Sequence, residues 1–288
     1  MKKVISFHSH RGGVGKTTFA ANVSAILAKE GYNVCMVDAD FCAPSLHDYF
    51  GEYVQKKIRN TLNDYIHGSC KVADLLVDIT PIPQLSERGS LQGKITGCFS
   101  SAKREDLLII EGFRNSKNRF HLLKRFIKLR DQIEKMDFDY IIIDSTSGNK
   151  FWAINALAIS DIVFQILKIG DIDIGNTKMI PNEILERHTE PKSSKFFRIL
   201  NKVSGYCVPN ILISENQDRN SKTNRATVTP AADELVRKLG FGADGDVITS
   251  IPCYCDIQFA QREFLTVLEY PEHPFTHKID EVKQMIYI

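Results

Sequence analysis

The first thirty residues restrict this chain more than any other segment. Lys3-Val4-Ile5-Ser6-Phe7-His8 reads as a strand and runs through His10-Arg11-Gly12-Gly13-Val14-Gly15-Lys16-Thr17-Thr18 into a helical pattern over 19–30. A strand, a glycine-rich turn and a helix in direct succession open an α/β layer, because the helix must fold back over the strand to bury its apolar stripe. Gly12, Gly13 and Gly15 around Val14 let backbone N–H groups turn inward on an anion, and Lys16 has the reach for β- and γ-phosphates. Thr17 offers its hydroxyl to a magnesium ion, and the helix that follows Thr18 points its N-terminal dipole at the same anion. These residue types in this order read as a loop for a nucleoside triphosphate with magnesium.

The rest of the chain repeats the unit. Short apolar runs at 4–7, 34–37, 107–110, 140–143, 162–167, 210–213 and 247–251 suit strands covered on both faces. They alternate with helical patterns at 17–30, 120–135, 151–159 and 230–239, so the expected fold is α/β, a mostly parallel twisted sheet with helices on both faces. Ligands of such sheets sit at the carboxyl ends of the strands. The segment 12–18, Asp38 with Asp40, and Asp144 each follow an expected strand, so all three fall on one rim. Residues 51–103 and 184–208 are less regular and are expected as surface elaborations of a single domain spanning 1–288.

Composition sets bounds. With 43% hydrophobic residues the chain can fill a core, and a net charge of +2 from 37 basic and 35 acidic residues selects no partner in bulk. Seven scattered cysteines without an export signal point to a reducing cytoplasm. The most apolar stretch, 151–169, is interrupted by Asn155, Asp161, Gln165 and Lys168, which rules it out as a bilayer span. Between Arg114 and Arg130 stand seven basic residues and no acid, with Phe120, Leu123, Ile127 and Ile133 at helical spacing. A solvated helix face is the plain reading, and a footprint for DNA or acidic lipid the sharper one. Lys192, Lys195, Arg198 and Lys202 around Phe196-Phe197 carry the same two readings. At the C-terminus Ile279, Val282, Met285, Ile286 and Ile288 form a loose apolar face with only Lys278 and Lys283 nearby, which favours core packing over an interfacial anchor.

The common phosphate-loop pattern has a glycine where this chain has His10. The variant form, with Arg11 before two glycines, resembles the deviant Walker A motif of the ParA/MinD/Mrp ATPase family, in which that position is usually lysine. Val37-Asp38-Ala39-Asp40-Phe41-Cys42-Ala43-Pro44-Ser45-Leu46 is similar to the family's second aspartate motif, and Phe138-Asp139-Tyr140-Ile141-Ile142-Ile143-Asp144 to its Walker B strand. Asn155 to Asp161 resembles the helix and strand entry that follow, and Ile251-Pro252-Cys253-Tyr254-Cys255-Asp256-Ile257 with Ala260-Gln261-Arg262-Glu263 the last loop and helix.

The resemblance implies an ATP-hydrolysing, magnesium-dependent, slow and partner-stimulated dimeric switch that positions or partitions a cargo. In that scheme Lys16 and Thr17 act as above, and Asp144 holds magnesium through water. Asp40 orients the attacking water, Asp38 supports it, and Arg11 reaches across a two-fold interface to the partner's nucleotide. Ser145-Thr146-Ser147-Gly148, where relatives have proline after the aspartate, would sense the γ-phosphate. Asn216 and Pro252 are the candidates to hold the adenine. An ATP-dependent homodimer, a protein activator and a DNA or acidic lipid surface are the implied partners. Two alternatives stand beside this reading. One is an Mrp-like iron–sulfur cluster carrier, favoured by 40–46 and disfavoured by the single residue between Cys253 and Cys255. The other is a non-catalytic nucleotide-binding scaffold, suggested by Arg11 and the Ser-Thr-Ser loop.

Overall fold

The computed structural model describes residues 2–80, 91–112, 116–168, 194–203 and 247–288. Within them one sheet has eight strands: β1 (Lys3–His8), β2 (Val34–Ala39), β3 (Val77–Asp78), β4 (Ile95–Cys98), β5 (Tyr140–Ser145), β6 (Ile162–Leu167), β7 (Lys195–Val203) and β8 (Val247–Pro252). Their spatial order is β3-β4-β2-β5-β1-β6-β7-β8, and every neighbouring pair is parallel except β3 with β4. Parallel pairs need crossovers, which the helices supply. Those described are α1 (Lys16–Lys29), α2 (Gly51–Gln55), α3 (Leu62–His67), α4 (Arg104–Glu111), α5 (Ser116–Glu134), α6 (Phe151–Ala158), α7 (Cys255–Gln258), α8 (Thr266–Glu269) and α9 (Pro274–Gln284).

Alternating side chains divide the core. Ile5, Phe7, Val34, Met36 and Ile142 point to the face covered by α1 and α9, while Val4, Cys35, Val37, Ile141 and Ile143 face α5 and α6. Helix α1 is buried on nearly all sides because it is wedged between the sheet, α8 and α9. Its run of Ala20, Ala21, Ala25 and Ala28 lets those neighbours approach closely. At the C-terminus Ile279, Val282 and Ile286 lie in the core, and buried Lys283 reaches Glu30 and, at 2.6 Å, Asp280, while Ile288 is exposed.

Two expectations are corrected. The run 107–110 is not a strand but the body of α4, with Leu108 and Ile109 exposed and Ile110 buried. Four apolar residues fit either element by periodicity, and Glu105 and Asp106 in the first turn favour a helix by meeting its dipole. The place beside β2 belongs to β4, from within the stretch 51–103 assigned to the surface. Gly97 masks that strand in the sequence, yet the packing demands it: a Cβ there would stand 2.4 Å from the Phe99 ring. Likewise β7 comes from the segment 184–208 and lies inside the sheet between β6 and β8. Its polar Arg198, Asn201 and Lys202 hid the strand pattern. The expected strand 210–213 and helix 230–239 lie outside the described residues.

Candidate functional site

β1 occupies the middle of the sheet between β5 and β6, and the chain turns from its carboxyl end directly into α1. Gly13 (φ 72°) and Gly15 (φ 104°) take left-handed backbone angles in that turn, and Gly15 is the N-cap of α1 with no side-chain cap bond. The first N–H groups of the helix are therefore open toward the rim, where an anion satisfies them.

Two further strands bring acids to this rim. In register, Asp38 of β2 stands beside Asp144 of β5, which stands beside Phe7 of β1. Thr17 donates its hydroxyl to Asp144 Oδ2 at 2.6 Å, with the Ser45 hydroxyl 3.5 Å from the same oxygen of Thr17. Lys16, 6% exposed, donates to Ser147 Oγ at 2.7 Å and lies 3.9 Å from Asp40 Oδ2. Asp40 Oδ1 accepts the N–H groups of Cys42 and Ala43, both at 3.2 Å. Asp38 turns inward instead. Its oxygens accept the N–H groups of Asp40 at 3.0 Å and Leu46 at 3.2 Å, so it braces the loop that carries Asp40.

The loop after β5 ties these pieces together. Thr146 donates to the Ala39 carbonyl at 2.9 Å and accepts from Trp152 Nε1 at 3.1 Å, and the Gly148 N–H donates to the Ser9 carbonyl at 2.9 Å. His8 Nδ1 meets Ser145 Oγ at 2.9 Å, and burial, with Lys16 nearby, pushes the imidazole down to about 3. Arg11 is exposed at the edge of the loop.

At this rim buried Asp38, Asp40 and Asp144 outnumber buried Lys16. Burial, then the neighbouring Asp144, holds Asp38 well above the usual carboxylate range. Burial lifts Asp144 to about 7 against the pull of Lys16, and lifts Asp40 as well, again opposed by Lys16. A divalent cation relieves that excess. The residues fit one: Asp144 Oδ1 is buried without a hydrogen-bond partner, beside the Thr17 hydroxyl. One carboxylate and one hydroxyl, completed by phosphate and water oxygens, is a donor set suited to magnesium.

The resulting cavity, ≈ 500 Å³, is lined by Gly12, Gly13, Gly15, Lys16, Thr17, Thr18 and Asp40, together with Ser147, Lys150 and Tyr49. A second cavity of ≈ 130 Å³ adjoins it and is walled by Gly15, Thr18, Asn201, Lys202, Pro252 and Tyr254. Sequence reasoning thus brought Gly12, Gly13, Gly15, Lys16, Thr17, Thr18, Asp40 and Asp144 to one place, with buried Val14 forming the loop and Pro252 at the adjoining cavity. Asn216 lies outside the described residues.

Sequence reasoning missed Asn201, whose Nδ2 donates to the Val14 carbonyl at 2.7 Å, and read Lys202 only as part of a basic cluster, whereas its Nζ donates to the Gly13 carbonyl at 3.2 Å. The signal was there: Ile199-Leu200 is a short apolar run that ends on an amide. It also missed Tyr49, whose hydroxyl donates to Thr18 Oγ1 at 2.9 Å.

A family model described as an AAA domain matches residues 2–173. The septum site-determining protein MinD of Bacillus subtilis is 29% identical over 161 residues, which cover 56% of this chain and 51% of that protein. The chain spans about half the length of most of the curated relatives it matches. Among solved structures, the cell division ATPase MinD of Pyrococcus furiosus superposes with a TM-score of 0.67 at 17% identity, covering 100% of this chain and 99% of that one. MinD of Pyrococcus horikoshii, solved with Mg-ADP, gives 0.65 at 18% identity, covering 99% and 96%. At these identities the likeness in structure is one of fold.

Proposed function

The chain belongs to the ParA/MinD family of P-loop ATPases, and from that premise we propose that it is a single-domain, magnesium-dependent ATPase working as a dimeric switch. The observation that carries the reading is the meeting of Lys16, Thr17 and Asp40 at one cavity, with buried Asp144 bonded to Thr17 behind it and its Oδ1 left unpartnered.

In this reading the backbone N–H groups of 12–18 cradle the phosphates. Lys16 exchanges the Ser147 hydroxyl, a weak acceptor, for β- and γ-phosphate oxygens, which bind an ammonium more strongly. Thr17, and Asp144 through water, would hold magnesium, which when bound would neutralise charge on the phosphate oxygens. Once phosphate takes over Lys16, Asp40 Oδ2 is released from its 3.9 Å contact and is available to orient the attacking water. Asp38 keeps the Asp40 loop in place. Phosphoryl transfer asks mainly for this positioning and charge neutralisation. Ser147 is the group through which the loop after β5 registers the γ-phosphate, since the same lysine serves both.

Arg11 extends from the exposed edge of the loop toward a second copy, where its guanidinium forks onto the partner's phosphates. Asn201 and Pro252 frame the adenine. ATP favours the dimer and partner binding, and hydrolysis releases both. The cargo, an activator and a DNA or acidic lipid surface belong to the same proposal, as does a cytoplasmic setting. Among the described residues no helix is long and apolar enough to cross a membrane.

The test is ATPase rate against protein concentration, with magnesium, while light scattering follows mass. A rate per subunit that climbs as dimer appears supports the switch. Tight ATP binding with no turnover at any concentration, with or without DNA or acidic vesicles, refutes hydrolysis and leaves the scaffold alternative.

A further inference from the structure

Lys202 is the one non-glycine residue among the described residues with a positive φ, 56°. It sits where β7 slips register against β8 between Leu200 and Val203. A left-handed non-glycine residue is strained, and such strain persists only where the surroundings over-determine it, often beside a ligand. The surroundings here are specific. Asn201 and Lys202, adjacent in sequence, donate to the adjacent carbonyls of Val14 and Gly13, so β7 grips the phosphate loop at two consecutive peptides. Ordinary strand geometry points successive side chains to opposite faces, and the left-handed residue is what turns both onto the loop. The Lys202 ammonium is partly desolvated: burial, then Lys168, moves it down from its ordinary value. Its side chain lines both cavities, the one holding Lys16 and the one holding Pro252.

We propose that Lys202 is a positioning residue with two separable parts. Its ammonium pins the Gly13 carbonyl and so holds the phosphate loop open to anions. Its four-carbon stem is the wall against which the nucleoside packs where the two cavities join. The inference rests on the reading of this site as a nucleotide site and adds to it the element that couples the nucleoside end to the loop.

The experiment is calorimetric titration of the full chain, with magnesium, by ATP and by inorganic tripolyphosphate, which has the phosphates without the nucleoside. The variants are Lys202→Met, which keeps a stem and loses the charge, Lys202→Arg, which keeps both, and Lys202→Gly, which relieves the left-handed strain and removes both. Thermal melting without ligand confirms that each is folded.

Lys202→Met should weaken both ligands by the same factor, about 10-fold for a lost charge-assisted hydrogen bond, so the ratio of their affinities stays at the parental value. Lys202→Gly should lose a further ~3- to 10-fold for ATP alone, the worth of one or two buried methylenes. Lys202→Arg should lie close to the parent for both. Tripolyphosphate binding unchanged in Lys202→Met overturns the pin, and an unchanged ATP-to-tripolyphosphate ratio in Lys202→Gly overturns the nucleoside wall. A parent that binds neither ligand would instead sink the nucleotide-site reading itself.

Discussion

Gly15→Ala isolates what the loop requires of its glycines. At φ 104° an added Cβ costs about 1–2 kcal/mol from backbone strain alone. The same Cβ would lie 2.8 Å from Asn201 Nδ2, closer than real side chains come, so Asn201 must move and release the Val14 carbonyl. That lost bond, in a buried place, adds about 1 kcal/mol. The sum is a destabilisation of about 2–3 kcal/mol, read as a lower urea midpoint at constant slope. Gly12→Ala is the internal control, because it has no positive φ and no atom within 4 Å of its Cβ, and it should stay within about 0.5 kcal/mol of the parent. In an Asn201→Ala background Gly15→Ala should cost about 1 kcal/mol less, since the contact part is already gone while the φ part remains. Equal midpoints for Gly12→Ala and Gly15→Ala would refute the reasoning.

Four further outcomes are expected. Asp40→Asn should cut turnover on the order of 10²–10⁴-fold with ATP affinity nearly unchanged in calorimetry, and parallel loss of both would give Asp40 a different role. Arg11→Ala should remove the rise of turnover with protein concentration, and an unaltered rise argues against any role across the dimer. Neutral His8 makes stability depend on acid: the unfolded imidazole takes a proton below its ordinary 6.5, the folded one only near 3, so stability falls as pH drops through that window. The ceiling on this contribution is roughly 4–5 kcal/mol, and in urea titrations at several pH values His8→Asn should lose one proton's worth of slope relative to the parent; identical slopes would count against it. Ile279→Ala, on the buried face of α9, should cost about 2–5 kcal/mol in thermal or urea unfolding, whereas a loss under about 1 kcal/mol would leave that helix free for another surface.

What the sequence made legible was chemistry carried by neighbouring residues. The phosphate loop could be read because glycines, Lys16 and Thr17 act within one turn of chain, and their types follow from the anion they surround. Asp40 and Asp144 could be placed beside it because each ends a Val- or Ile-rich run, and parallel strands deliver their carboxyl ends to one rim. The face of α9 was readable too, since Ile279, Val282 and Ile286 recur at helical spacing and one face of a short helix must be buried.

The elements that failed to show themselves depend on neighbours far away in the chain. The run 107–110 carries apolar residues that suit a strand and a helix equally, and only the occupation of the place beside β2 by β4 decides between them. That strand is itself obscured by Gly97, whose missing side chain makes sense only once the Phe99 ring is seen against it. The grip of β7 on the glycine loop joins Val14 and Asn201, 187 positions apart. No local rule links them, because the contact exists only after the sheet order has set β7 two strands from β1. By itself, then, the sequence determined that the glycine loop, Lys16 and the strand-end acids Asp40 and Asp144 share one rim, since that follows from covalent proximity and strand direction. The tertiary structure decided which strands fill the sheet and which side chains grip the loop from behind, because the free energy of those choices lies in contacts between segments and not within any one of them.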